Sequence, residues 1–598
     1  MRKNRTPIID HLFGDADLPE NAAPWLLQHW QGLHHYYRKT PNYPTPSTPI
    51  TLLASTSSEK DYESVTLFYS TDEWQTQTKL PFQKGAPRWD ALRWGWLTEW
   101  RLTLPPQSDG TLLRYRIGGQ PRGEQAWVFA DNQAKQAEEA THFSLWYADH
   151  QPPGWSKDAI VYQVFVDRFN PGQGKTWTQT SDLMQPMGGT LRGVTEKLEF
   201  IRDMGFNTIW LTPIFDSPSH HGYDTRDYLK INPRLGSEAD FEALLERAHQ
   251  LGLRVILDFV ANHCSDQHPA FVEALAKQNS PFHDWFTWQP WPHYQCFYNV
   301  KEMPELDLRY GKPARVYLLE MARTWLQLGV DGFRLDYAHG PERDFWVDFQ
   351  KACREVNPDC WTFGEIVQGA DQQLSFAGGI NGSLDFLTCQ ALRLSFAQQT
   401  WPLSRLAGFL QAQQAYYPAN FSLPAFIDNH DMNRFLFSAH GDLRLVIMAL
   451  QLLYFLPGQP VVYYGTEAAL SQRQSIHEGG ALGFDEARLP MPWSEQDNFP
   501  LVSLLQQLAK LRRDWQLGEA LPLDILQVDD RQQTLVLQRG KLLLTLNRSD
   551  EPQTVSFASG AKALKDICTA EVLLTKAGQV QLTLPPLSAR FFAADEAC

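Results

Sequence analysis

The feature that most constrains this chain is the regular alternation of short apolar segments with amphipathic segments of helical period, beginning near residue 160. Short apolar segments of this kind predict buried strands, and the segments between them predict helices that pack on a sheet. The predicted strands are residues 160–165, 207–211, 254–258, 332–336, 362–365, 383–386, 424–428 and 460–464. A succession of βα units of this length fits an α/β fold, a (β/α)8 TIM barrel with insertions.

A doubly wound parallel sheet is the rival architecture for alternating strands and helices. That fold would place a glycine-rich phosphate-binding turn after the first strand. Residues 167–170 read Asp-Arg-Phe-Asn and do not match such a turn. After the third strand, residues 264–312 form a connection that is unusually long and rich in Trp, Pro and His. A long connection on this side of a barrel indicates an inserted functional subdomain.

The segments on either side of the barrel have a different pattern. Residues 1–150 contain short alternating runs separated by Pro, Ser, Thr and Asp-Gly, which predicts an N-terminal β-sandwich domain. Residues 515–598 read as antiparallel hairpins and predict a C-terminal β domain, which leaves residues 151–514 for the barrel. A chain of 598 residues is long enough for several such domains.

Charge and composition narrow the class of partners. The formal net charge of −15 argues against binding to nucleic acid or anionic lipid. The charged start of the chain is not followed by an apolar run, so no signal peptide is expected, and no segment approaches the length of a membrane helix. The seven cysteines are scattered without zinc-site spacing, which predicts reduced thiols in a cytoplasmic protein.

Acidic residues stand at or just after the ends of several predicted strands. Asp258, Asp336 and Glu365 end the third, fourth and fifth strands, and Asp431 follows the seventh. In a barrel these strand ends face one mouth, where catalytic groups collect. A single acidic residue there is usually a helix cap, but several buried charges without partners would be costly. The set therefore indicates a reactive site or, as the alternative, a buried salt-bridge network.

The order and spacing of four of these segments resemble the α-amylase family of glycoside hydrolases. The matching segments are residues 258–263, 332–339, 363–366 and 426–431, with supporting matches at 188–193, 303–307 and 462–467. The resemblance covers about residues 155–515 and extends to the C-terminal β domain. With a β-sandwich before the barrel, the chain looks nearest to the neopullulanase, cyclomaltodextrinase and maltogenic amylase branch.

The resemblance implies a catalytic residue for each acidic motif. Asp336 corresponds to the nucleophile, Glu365 to the general acid/base, and Asp431 to the third carboxylate, which binds sugar hydroxyls. Arg334 lies two residues before Asp336 on the same face of the strand and is expected to hold it ionised. Retaining glycosidases need two carboxyl groups about 5 to 5.5 Å apart.

The same resemblance implies a set of substrate-binding residues. His263 and His430 correspond to histidines that donate hydrogen bonds to the sugar, and Tyr223 to a ring that stacks under it. Asp224 and Arg434 correspond to an ion pair at the floor of that subsite. Each of these could instead be a core histidine or an ordinary loop residue.

A requirement for metal is left open by the sequence. Asn262 matches a position that ligates calcium in many amylases, but calcium needs six to eight oxygen ligands and no convincing remainder is found. Gly340 stands where many true α-amylases have a histidine, and Glu467 is followed by Ala468 and Ala469, where relatives often carry a glycine. These departures put calcium and the leaving-group subsites in doubt, but not the three carboxylates. No cofactor is expected to be required.

The leading functional prediction is retaining hydrolysis of α-1,4-glucosidic bonds in maltodextrins or cyclodextrins. Glycosyl transfer, isomerisation or α-1,6-glucosidase activity on α-glucans is the alternative, because the same three carboxylates support them. A remote alternative from another class is a non-catalytic carbohydrate-binding or scaffold protein. The partner is therefore an oligosaccharide, and the resemblance also suggests a homodimer.

Three tryptophans of the N-terminal domain allow two interpretations. Trp94, Trp96 and Trp100 have near-alternate spacing, which places them on one face of a strand. They could form a platform for sugar or one core face of the sandwich. The core interpretation is preferred.

Overall fold

The computed structural model describes residues 32–57, 60–90, 95–478 and 480–595 of the 598-residue chain. Two five-stranded antiparallel sheets form the N-terminal domain. Their strands are β1 (Leu33–His34), β2 (Lys39–Thr40), β3 (Ile50–Ser57), β4 (Tyr62–Ser70), β5 (Thr78–Pro81), β6 (Gln83–Asp90), β7 (Gly95–Leu104), β8 (Leu112–Pro121), β9 (Val128–Phe129) and β10 (Phe143–Trp146).

One sheet has the strand order β1-β3-β7-β6, and β2 also pairs with β3. The other has the strand order β10-β8-β4-β5, and β9 also pairs with β8. Apolar side chains of β3 and β7 pack with those of β4 and β8 in one core, so the predicted sandwich is confirmed. Trp100 lies in this core and donates to Thr56 Oγ1 at 3.0 Å.

The core interpretation was wrong for Trp96, whose side chain is 52% exposed. Trp96 lies four residues nearer the β6–β7 hairpin end than Trp100, directly opposite Trp89. At that end of the strand the second sheet no longer covers the face, so strand parity alone does not decide burial. Trp94 lies outside the described residues.

The central domain is built on a parallel sheet of the order β18-β17-β16-β15-β12-β11-β19. Its strands are β11 (Val161–Val164), β12 (Thr208–Leu211), β15 (Arg254–Val260), β16 (Gly332–Asp336), β17 (Trp361–Gly364), β18 (Gly382–Ser383) and β19 (Val461–Tyr463), and a small antiparallel pair, β13 (Phe215–Asp216) and β14 (Asp227–Ile231), follows β12.

The strand predicted at residues 424–428 is not continuous. Parallel bridges instead join Gly382 to Ser422 and Ala425 to Pro460. These bridges link the two edges of the sheet, so the ring closes as a barrel through an irregular seventh segment. Its irregularity follows from its sequence, because Pro424 cannot donate a ladder hydrogen bond.

Helices surround the barrel and begin at recognisable caps. Thr190 caps α2 by accepting from the Gly193 N–H, and Ser237 forms a capping box with Asp240 at the start of α3. The helices are α1 (Val166–Phe169), α2 (Leu191–Asp203), α3 (Glu238–Gln250), α4 (Pro269–Ala276), α5 (Pro313–Gln327), α6 (Arg343–Val356), α7 (Ala370–Leu374), α8 (Phe386–Leu392), α9 (Leu403–Tyr416), α10 (Phe435–Ser438), α11 (Leu443–Phe455) and α12 (Val502–Asp514).

The C-terminal domain is antiparallel, as the sequence predicts. A six-stranded sheet has the order β20-β21-β22-β27-β24-β25, and β23 pairs with β26. The strands are β20 (Leu523–Asp529), β21 (Thr534–Arg539), β22 (Leu542–Asn547), β23 (Gln553–Ala558), β24 (Ala563–Asp566), β25 (Val572–Leu574), β26 (Gln579–Leu584) and β27 (Ser588–Asp595). Across the described ranges of the chain, no helix is long and apolar enough to cross a membrane.

Candidate active site

Parallel register brings the acidic strand ends together at one mouth of the barrel. Asp258 on β15 pairs with Arg334 on β16, and Val260 pairs with Asp336. On the other side of β16, Leu335 pairs with Gly364, so Glu365 directly follows β17 beside Asp336. The carboxyl ends of parallel strands point the same way, which is why residues distant in sequence meet here.

Arg334 is the centre of this cluster. Its Nη1 lies 2.8 Å from Asp258 Oδ1 and 3.0 Å from Asp336 Oδ1, and its Nη2 lies 2.8 Å from Glu365 Oε2. The guanidinium is fully buried. Because both carboxyls contact one guanidinium, Asp336 and Glu365 are neighbours at the mouth.

The surroundings favour a proton on this pair of carboxyls. Burial raises the pKa of Glu365 above its usual range, and the charge of Asp431 adds to that effect while Arg334 opposes it. Burial also raises the pKa of Asp336, against the opposing charge of Arg334. Two close buried carboxyls of this kind titrate together, so the pair holds one proton over a range above ordinary carboxyl pKa values.

The turn after β16 supplies a donor to Glu365. The Tyr337 N–H donates to Glu365 Oε2 at 2.9 Å, and Tyr337 adopts a positive φ of 39°. Positive φ is costly for a bulky residue and persists where packing enforces it. The ring of Tyr337 packs at 4.8 Å from Phe297 of the inserted segment, which itself stacks on His263 at 4.5 Å. The predicted insertion thus contacts the catalytic mouth.

A second group of side chains forms the adjoining wall of the mouth. Tyr223 Oη donates to Asp258 Oδ2 at 2.9 Å, and its ring stacks on His430 with centroids 5.3 Å apart. His430 Nε2 lies 3.0 Å from Asp431 Oδ2, and Arg488 Nη2 lies 2.9 Å from Asp431 Oδ1. Burial acts to raise the pKa of Asp431, but His430 and Arg488 outweigh it and hold the pKa below its usual range.

The remaining predicted binding residues separate into two groups. His263 joins the mouth through its Nε2, which lies 3.1 Å from the Tyr223 carbonyl oxygen. The predicted ion pair of Asp224 and Arg434 is wrong, because their described contacts lie elsewhere. Asp224 accepts from Ser217 Oγ at 2.5 Å, whereas the buried Arg434 donates to the carbonyl oxygen of Tyr464 at 2.8 Å. Asp224 is held by serines of its own loop, whereas Arg434 contacts backbone carbonyls of more distant segments.

Asn262, the candidate for a calcium ligand, has its Nδ2 3.4 Å from His263 Nδ1. Its Oδ1 packs against Gly340, where an added Cβ would lie 2.0 Å away. Within the described parts of the chain, no group of three or more His, Cys, Asp or Glu side chains could hold a metal.

Sequence reasoning missed one residue of the mouth. Arg488, in a short turn after β19, had no assigned role, yet its guanidinium contacts Asp431. A lone arginine beyond the eighth strand has no local pattern that predicts this contact. Asp258 was identified only as an acidic strand end, and the structure surrounds it with Trp210, Tyr223 and Arg334.

Comparison with known proteins decides the family. A family model described as the α-amylase catalytic domain matches residues 163–506, which is more than half of the chain. The chain belongs to the α-amylase family. It is a glycoside hydrolase of that family, and the sequence-based resemblance is confirmed.

Three curated relatives show how far the similarity extends. Alpha-amylase 2 of Dictyoglomus thermophilum is 35% identical over 365 residues, which cover 61% of this chain and 64% of that relative, just under two thirds. Neopullulanase 2 of Thermoactinomyces vulgaris is 32% identical over 477 residues, which cover 73% of this chain and 77% of that relative. A cyclomaltodextrinase of Geobacillus thermopakistaniensis is 28% identical over 606 residues, which cover 94% of this chain and 99% of that relative.

The full architecture also has a counterpart among solved structures. A structure named cyclomaltodextrinase superimposes with a TM-score of 0.69 at 23% identity, covering 94% of this chain and 99% of that one. The fold that this chain shares with that structure therefore includes the N-terminal sheets and the C-terminal domain as well as the barrel.

Proposed function

We propose that this α-amylase-family enzyme hydrolyses α-1,4-glucosidic bonds with retention, through a covalent glycosyl-enzyme intermediate. The observation that carries the proposal is the placement of Asp336 and Glu365 on the two amino groups of one buried guanidinium, that of Arg334. Two carboxyls held on one guanidinium at the mouth can act on the same glycosidic bond, one as nucleophile and the other as acid, which is the division of roles in retaining enzymes.

In the first step an Asp336 oxygen attacks the anomeric carbon while the bond to the leaving sugar oxygen breaks. Glu365 gives its proton to that oxygen, so the shared proton of the pair belongs on Glu365 in the resting enzyme. In the second step the Glu365 carboxylate takes a proton from water, and the water oxygen displaces Asp336 from the anomeric carbon. Arg334 supports the ionised Asp336 throughout.

The adjoining wall is suited to the sugar that carries the reacting carbon. Tyr223 offers an aromatic ring against its apolar face, and Asp431 offers a carboxylate to its hydroxyls. The buried His430 and His263 contact Asp431 and the Tyr223 carbonyl oxygen and so support these two groups. Asp431 is held ionised by its neighbours, so its charge opposes the positive charge that develops on the ring.

Short or cyclic maltodextrins are the substrates we propose. The relatives named neopullulanase and cyclomaltodextrinase support this class, and the second of them matches nearly the whole chain. Glycosyl transfer, isomerisation and α-1,6 cleavage are the second candidate, since the same carboxyls can catalyse these reactions on α-glucans. The contacts made by Asp336 and Glu365 disfavour a non-catalytic scaffold.

Product analysis tests the proposal. Wild type and the Glu365→Gln variant are incubated with maltoheptaose, β-cyclodextrin, pullulan and isomaltose. We expect faster cleavage of the ring than of starch, with the products released initially as α-anomers, and loss of all activity in the variant. Activity on none of these, or a variant indistinguishable from wild type, would contradict the proposal.

We propose a homodimer that works in the cytoplasm. The exposed Trp96, opposite Trp89 at the end of an exposed edge strand, is an aromatic surface that a second copy would cover. The six described cysteines are free thiols, which suits a reducing compartment. Sedimentation of wild type and Trp96→Glu at micromolar concentration tests the dimer. A monomeric wild type would overturn it.

A further inference from the structure

Arg488 occupies a fixed position where three strand-end loops meet. It follows the short helical turn Gly480–Ala487, and its side chain is 8% exposed. The guanidinium packs against two rings, with its carbon 5.4 Å from the centroid of Phe165 and 5.6 Å from that of Phe484. Contact with two rings restricts the guanidinium, so its donors point in defined directions.

Those donors hold both the side chain and the backbone of the loop that carries Asp431. Arg488 Nη2 donates to Asp431 Oδ1 at 2.9 Å, and Nε donates to the His430 carbonyl oxygen at 2.8 Å. The only other basic side chain within salt-bridge distance of the Asp431 carboxylate, among the described residues, is the imidazole of His430 at 3.0 Å. Arg488 therefore fixes one of the two carboxylate oxygens.

A further pair of residues stands behind Arg488. Asp485 Oδ1 lies 3.5 Å from Arg488 Nη1 and 2.8 Å from His220 Nε2, and all three side chains are buried. His220 belongs to the loop after β12, whereas Asp485 and Arg488 follow β19. A continuous line of contacts thus runs from His220 through Asp485 and Arg488 to Asp431.

We infer that His220, Asp485 and Arg488 form a positioning relay that orients the Asp431 carboxylate in the active site. The inference rests on the proposed role of Asp431 and adds residues that do not themselves touch the reacting atoms. Asp431 shares the mouth with other buried carboxyls, so without Arg488 repulsion would move or protonate it. The charged or titratable groups around it are Arg334, Asp336, Glu365, Tyr223, His430 and Arg488.

The relay predicts a loss that is specific to the chemical step. Asp431 acts through the position of its carboxylate, so removal of Arg488 should lower kcat far more than it changes KM. Replacing Arg488 by lysine should restore part of kcat, because lysine keeps the positive charge but lacks the two-donor geometry.

The test compares Arg488→Met, Arg488→Lys and Asp485→Asn on maltoheptaose. We expect Arg488→Met to lower kcat about 100-fold with KM changed less than about threefold, and Asp485→Asn to lower kcat about tenfold. Arg512→Met is the matched control, because Arg512 is a buried arginine whose Nη1 donates to the carbonyl oxygens of Tyr454 and Leu456. Arg512→Met is expected to lose stability while kcat and KM of the folded protein stay near those of wild type.

A kcat of folded Arg488→Met near that of wild type, or a loss of kcat that Arg488→Lys does not restore in part, would make Arg488 structural and overturn the relay. If Arg488→Met does not fold, Asp485→Asn decides, and an unchanged kcat there overturns the relay as well. Failure of the proposed function is separate. It would appear as residual activity in Glu365→Gln, whereas failure of the relay leaves that variant inactive.

Discussion

Two buried arginines, Arg334 in the barrel mouth and Arg315 on α5, each hold carboxylates, but only one of them forms a reactive centre. Arg315 lies 2.9 Å from Asp344 and 2.6 Å from Asp348 of α6, and it also donates to the Leu308 carbonyl oxygen at 3.0 Å. At Asp348 it is joined by Arg114 of the N-terminal domain at 3.2 Å. This cluster fastens a helix pair and the N-terminal domain together.

The two clusters differ in where their carboxyls lie. The guanidiniums of Arg315 and Arg114 contact Asp344, Asp348 and Glu73, whereas the single guanidinium of Arg334 contacts Asp258, Asp336 and Glu365. Burial raises the pKa of Asp344 to about 6, so a raised carboxyl pKa occurs in both clusters. The comparison teaches that location separates them, because the carboxyls of Arg334 stand at strand ends of the barrel mouth and those of Arg315 lie on a helix beneath the N-terminal domain.

The largest effect is expected for Asp336→Asn. The amide cannot attack the anomeric carbon, so kcat on maltoheptaose should fall by at least about 10⁴-fold. The fold should survive, because the amide oxygen can still accept from Arg334. Steady-state kinetics with circular dichroism on the same sample checks both statements. Near-normal kcat would show that the Arg334 cluster is structural after all and would erase the contrast with Arg315.

Arg315→Met should show the reverse pattern. Removing one partner from a buried, paired cluster costs about 3–5 kcal/mol, because Asp344 is left without its main cation. Urea unfolding should reveal this loss, while kcat of the folded protein stays within about twofold of wild type. Arg323→Met is the control, since Arg323 makes only surface ion pairs and should cost less than about 1 kcal/mol. A large loss of kcat in Arg315→Met would break the comparison.

Asp431→Asn should shift the basic limb of the pH profile. Glu365 acts as an acid, so activity is lost as pH rises through its pKa, which burial raises and the Asp431 charge raises further. Removing that charge lowers the pKa of Glu365, and the basic limb of kcat/KM should move to lower pH. The measurement is kcat/KM of the variant on maltoheptaose as a function of pH, which locates its basic limb. A limb that stays in place would mean that Asp431 does not act on Glu365 through its charge.

Removal of calcium is expected to have the smallest effect. The Asn262 amide is engaged by His263 and packed against Gly340, so we propose that no metal is required. Dialysis against EDTA should leave kcat and the thermal midpoint unchanged within error. A lower midpoint that recovers on addition of Ca²⁺ but not Mg²⁺ would show a calcium site and overturn this expectation.

Several features of this molecule followed from the sequence alone. The alternation of strands and helices predicted the barrel, and the motifs around Asp336 and Glu365 predicted which side chains would meet. The reason is physical, since parallel strands in a closed barrel must bring their carboxyl ends to one mouth. Local periodicity and strand ends therefore indicated that these carboxyls meet at the mouth, and the resemblance to the α-amylase family supplied the roles proposed for them.

Other features were decided only by the tertiary structure. Arg488 contacts Asp431, which lies 57 residues earlier in the chain. Arg434 donates to backbone carbonyl oxygens and does not pair with Asp224. Trp96 and Trp100 share a strand face, yet only Trp100 is covered by the second sheet. Loop contacts and sheet overlap depend on how distant segments pack, and no repeating pattern along the chain encodes them. The sequence determined where the catalytic groups stand, and the packing of the loops determined which neighbours hold them.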